Sequence, residues 1–170
     1  MGDSSNSAFG LNMTSAITVA NKILELANAK DLKLTPLQLM KLVYMSQGWS
    51  LALRDAPLYG ERIEAWQYGP VVPVLYNRTK TYGSAPITGP LPPAPNAVGE
   101  VLSGEEIDLL RSVVDNYAHL SGPALSNLTH RPGSPWSKVW VPGQYNVEIP
   151  VGVIRSHYND LKSSKTVTAA

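Results

Sequence analysis

The sequence predicts a mainly α-helical fold: a compact bundle of helices around one central helix, with room for a short β-hairpin. Three observations predict it. Apolar residues recur at helical spacing along the chain. Two Ser/Thr-x-x-Gln/Glu capping boxes, Thr35–Gln38 and Ser103–Glu106, open helical stretches. Residues 37–53 are apolar on almost every side, the pattern of a helix enclosed by others. The 170 residues, 44% of them hydrophobic, fit one domain with a sizeable core.

Residues 1–13 are small and polar and are expected to form a flexible N-terminus. Thr14 is placed as the N-cap of a helix to about Lys30, with Ile17, Ala20, Ile23, Leu24 and Ala27 inward. Thr35-Pro36 then opens the central helix, on which the line Gln38, Lys41, Met45, Gly48, Ala52 is polar or small. The alternation around Ile63–Gln67 suggests a short extended segment or one strand of a hairpin, and Gly69-Pro70 is expected to start another helix. Residues 83–102 carry five prolines and three glycines and read as a long Pro-rich loop inside the domain, with little to bury. Helices follow from Ser103, Ser121 and Ser134. A last one is led by Ile149-Pro150 and has Ile154, Tyr158 and Leu161 inward. The single domain thus spans 14–162, and 163–170 read as a flexible tail.

Composition excludes several chemistries. There is no cysteine, hence no disulfide, zinc-thiolate site or thiol nucleophile, which suits a reducing compartment. No signal peptide and no apolar stretch long enough for a bilayer is visible, so a cytoplasmic protein without a membrane partner is expected. The net charge of +1, with bases interleaved among acids, asks for no nucleic-acid partner. No phosphate loop, dinucleotide fingerprint, G-x-S-x-G or H-E-x-x-H motif occurs. His119, His130 and His157 lack metal-ligand spacing. His130 suits a helix C-terminus, where its ring can bond free carbonyls. No catalytic residue, cofactor or metal is expected, and the chain is read as no enzyme. Aromatic residues in the connecting segments, Trp66, Tyr68, Trp136 and Trp140, together with Arg131, are the candidates for binding a partner.

Leu34-Thr35-Pro36-Leu37-Gln38-Leu39-Met40-Lys41-Leu42-Val43-Tyr44-Met45-Ser46-Gln47-Gly48-Trp49 resembles the signature of the Panacea (SocA-like antitoxin) family. There a capped L-x-K-L-x-Y helix ends near Q-G-W. Glu64-Ala65-Trp66-Gln67-Tyr68-Gly69-Pro70-Val71-Val72-Pro73 follows at suitable spacing, and Thr129-His130 with Ser134-Pro135-Trp136 complete the set. The resemblance covers about residues 14–161. It implies an antitoxin that neutralises a cognate protein toxin by direct stoichiometric binding, in bacteria or their phages. Alternatives are a proteolytic adaptor that delivers a toxin to a protease partner, with 1–13 or 163–170 for docking, and a phage-encoded counter-defence binding protein. An enzyme using His130 with Glu64 or Tyr68 is the least supported.

Overall fold

The computed structural model describes the backbone of residues 13–169 and the side chains of residues 13–164. The flexible segment expected over 1–13 lies outside the described residues except for Met13. Helix α1 (Ala16–Asn28) starts one residue later than its sequence suggests. Ser15 is the N-cap, its hydroxyl accepting the amide of Thr18. Thr14 faces away instead: its amide and hydroxyl both donate to the Leu58 carbonyl, beside a parallel bridge to Tyr59. The next orphan amides of α1 are met from far along the chain. Ser15 donates to Glu100 at 2.7 Å and Ala16 to Glu61 at 3.0 Å. Both carboxylates also suit the positive end of the helix dipole.

Helix α2 (Pro36–Leu53) is the central element, and its capping box forms in both directions between Thr35 and Gln38. Every residue from Leu39 to Ala52 is buried, including Lys41, Met45, Gly48 and Ala52 of the line expected to be polar or small, whereas Gln38 is half-buried. Three polar side chains of the helix are bonded: Ser46 donates to Leu42, Ser50 to Ala56, and Gln47 clamps residues 58 and 59 through its amide oxygen and nitrogen. Leu37, expected inward, is exposed at the helix start.

Strands β1 (Glu64–Trp66) and β2 (Gly69–Val71) form an antiparallel hairpin around Gln67 and Tyr68, pairing Glu64 with Val71, Ala65 with Pro70 and Trp66 with Gly69. Gly69-Pro70 therefore do not open a helix. Gly69 has φ +118°, outside any helix, and Pro70, lacking an N–H, is tolerated on an outer strand. Helix α3 (Pro73–Thr79) starts instead at Pro73 and ends in a 3-10 turn, Lys80–Tyr82.

The Pro-rich stretch is irregular apart from a 3-10 turn at Pro95–Ala97. It buries more than its composition suggests. Ile87, Leu91, Ala97 and Leu102 are buried; the Ile87 amide donates to Leu34, and Leu91 exchanges two hydrogen bonds with the Asn21 side chain. Aperiodic pegs of this kind leave no pattern to read.

Helices α4 (Gly104–Tyr117), α5 (Gly122–His130) and α6 (Pro135–Val139) are capped by Ser103, Ser121 and Ser134. Strand β3 (Val147–Glu148) adds to the other edge of β1. Helix α7 (Val151–Ala169) continues through the stretch read as a tail. Nothing between Leu161 and Ala169 breaks a helix, and Lys162 donates to the Ala52 carbonyl at the end of α2. The packing centres on α2, which α7, α4, α5 and α1 surround. No helix of the described residues is long and apolar enough to cross a membrane.

Candidate functional site

The hairpin turn is held from below by two helices. Lys41 of α2, only 1% exposed, donates through Nζ to the carbonyls of Tyr68 (3.2 Å) and Pro70 (3.0 Å). Ser126 of α5 donates to the same Tyr68 carbonyl at 2.8 Å. This leaves no room above the ammonium: a Cβ on Gly69 would lie 2.8 Å from Lys41 Nζ, and φ +118° disfavours any side chain there. Trp136 of α6 ties the preceding residue, its indole Nε1 donating to the Trp66 carbonyl.

With their carbonyls fixed, the side chains of the turn face outward. Tyr68 is 71% exposed. Trp66 is half-buried, edge-on to Tyr76 with centroids 4.9 Å apart, and donates to Glu64, whose other oxygen pairs with Arg62 at 3.1 Å. Behind the turn, Trp136 stacks on Trp140 at 4.9 Å and meets the His130 ring edge-on at 5.3 Å. His130 Nδ1 donates to the Ser126 carbonyl one turn back, which also accepts the Thr129 hydroxyl, so the ring bonds a carbonyl within the helix rather than one of the free carbonyls at its end. Glu64, considered as a partner for a catalytic His130, is engaged instead with Arg62 and Trp66.

A groove of about 1000 Å³ opens between the hairpin, the start of α2, α3 and residues 140–146. Of the five candidate partner residues, Trp66, Tyr68 and Trp140 line it. Trp136 supports it from behind. Arg131, at the C-cap of α5, is exposed and does not line the groove. Leu37, Tyr76, Lys80 and Tyr145 also line it, and sequence reasoning missed them. Tyr145 left a usable signal, an aromatic residue just after the Pro142-Gly143 turn. The others carry helical spacing that reads equally well as core or solvated face.

Lys41 was also missed, because a lysine on a helix ordinarily marks the wet side. Burial pulls its ammonium down from 10.5 to about 7, although the two carbonyls favour the charged form. Between these values the unfolded chain holds a proton that the folded chain lacks, so this group adds stability as pH rises from about 7 towards 10.5. Lys41→Met abolishes that contribution. In urea unfolding, the stability difference between the protein and the variant is expected to shift in favour of the protein between pH 7 and pH 9. A difference independent of pH would mean that Lys41 titrates normally.

The chain belongs to the antitoxin SocA-like, Panacea domain family, whose profile its residues 39–137 match. Among curated proteins it is similar to Antitoxin SocA of Caulobacter vibrioides (strain NA1000 / CB15N), at 29% identity over 136 residues, 73% of this chain and 69% of that protein. No solved structure gives a significant match.

Proposed function

We propose that this chain is a cytoplasmic antitoxin that neutralises a cognate protein toxin by stoichiometric binding, with the groove beside the hairpin as the docking surface. One observation carries the choice of surface. Of the nine large hydrophobic residues exposed among the described residues, four, Leu37, Tyr68, Tyr76 and Tyr145, line this groove. Exposed apolar residues gathered in one place mark interaction sites, whereas scattered ones mean nothing. Tyrosine and tryptophan are also the residues that most often dominate binding energy. The turn beneath Tyr68 is already fixed by Lys41, Ser126 and Trp136, which lowers the ordering cost of binding. Family membership and the name of the curated relative support a toxin as the kind of partner.

The test is a titration of a candidate toxin, a neighbouring gene product that arrests growth when expressed alone. Toxin activity should fall linearly to an equivalence point and stay suppressed. Replacing both Tyr68 and Tyr145 by alanine should weaken the complex by roughly 30-fold or more, the scale of one hot spot, with the melting temperature unchanged. Silencing of excess toxin by a catalytic amount of this protein would rule out the mechanism. Undiminished affinity of the double variant would rule out the groove.

A further inference from the structure

The charge in the groove has one sign. Its lining contains two lysines, the exposed Lys80 and the buried Lys41, and neither aspartate nor glutamate, although the chain as a whole carries 13 acids against 14 bases. Lys80, where α3 passes into its 3-10 turn, is exposed and has no ion-pair partner among the described residues. Lys41 has only neutral carbonyls as hydrogen-bond partners, and burial holds its charge at a disadvantage. The lining around these lysines is mainly apolar, and includes Leu37, Met40 and Val71 together with the aromatic residues. An acidic occupant would gain at Lys80 and meet no like charge; a basic one would meet only repulsion.

We propose that the groove accepts an acidic segment of the partner protein, in which aspartate or glutamate side chains flank a bulky apolar residue. The apolar residue packs against Leu37, Met40 and Val71, and a neighbouring carboxylate pairs with Lys80. This rests on the groove being the toxin-binding surface and adds the chemistry of what enters it. A nucleic acid fits less well. Phosphate binding draws its affinity from many cations, and this groove offers one exposed lysine, Lys80.

The experiment uses a displayed library of random peptides, selected on the full chain. Enriched peptides are expected to carry Asp or Glu beside Phe, Trp, Leu or Met, and to bind more weakly as sodium chloride is raised. Lys80→Glu, an exposed change whose folding is checked by circular dichroism, should weaken them about tenfold, and exchanging their acids for lysine should restore binding to that variant. Enrichment of neutral or basic peptides would overturn the proposal. So would equal binding of acidic peptides to the protein and to Lys80→Glu, or stronger competition by a single-stranded oligonucleotide than by the acidic peptide. The Tyr68 and Tyr145 double variant separates the two levels. If it loses the toxin while acidic peptides fail to bind, the docking surface stands and only its charge preference is wrong.

Discussion

Trp136→Ala is expected to destabilise the protein by about 3–5 kcal/mol, the usual cost of truncating a large buried aromatic residue. Trp136 is 9% exposed and belongs to the core, yet its effect reaches the groove. Its ring stacks on Trp140 and meets His130 edge-on, and its indole donates to the carbonyl of Trp66. Removing it leaves a cavity between α5, α6 and the hairpin, and an acceptor without its donor. For a domain of this length the melting temperature should fall by about 10 °C, read by circular dichroism. Trp136→Phe separates the contributions: it keeps an aromatic ring but no donor, and should cost less, about 1–2 kcal/mol. Equal losses for the two variants would mean that the hydrogen bond, not the ring, fixes the segment. A negligible loss for Trp136→Ala would remove this residue from the core.

Much of the helical architecture is legible because its signals are local. Both capping boxes, the serine caps at 121 and 134, and the enclosed character of α2 depend on residues within a few positions of one another. Non-local features escape. Glu61 and Glu100 serve the start of α1 across 45 and 85 residues, and β3 is two residues long with no alternation to reveal it. Gly69-Pro70 misleads because proline suits a helix start and an outer strand alike; the pairing with Trp66 and Ala65 decides between them. At the groove, position in a connecting segment was enough to single out Trp66, Tyr68 and Trp140. Leu37, Tyr76 and Lys80 become lining residues only because α2 and α3 meet the 140–146 segment there. Lys41 is the sharpest case. Its neighbours Met40 and Leu42 announce a core helix, but nothing nearby in sequence shows that its amine ends beneath the hairpin.

Gly48→Ala should invert the ordinary effect of that substitution. Inside a helix, alanine is normally favoured over glycine by about 1 kcal/mol. Here Gly48 faces α7, the helix that packs most extensively on α2, and a Cβ would fall 2.3 Å from Cδ2 and Cε2 of Tyr158 and 2.6 Å from Cζ. These are ring atoms held in place, not the end of a flexible chain. Tyr158 is buried and packs edge-on against both Tyr44, at 6.1 Å, and Trp49, at 5.1 Å. One methyl group therefore displaces the ring from its aromatic neighbours, with a cost near that of truncating it, about 3–5 kcal/mol. Set against the propensity gain, a net loss of about 2–4 kcal/mol is expected in urea unfolding. The background decides the sign. In Tyr158→Ala, already destabilised by the loss of its ring, the obstruction is gone, and adding Gly48→Ala should be neutral or stabilising by up to about 1 kcal/mol. The two positions should thus show a coupling energy of several kcal/mol, as expected for residues in direct contact. If Gly48→Ala lost the same stability in both backgrounds, the close approach of α2 and α7 would not be what demands glycine at this position.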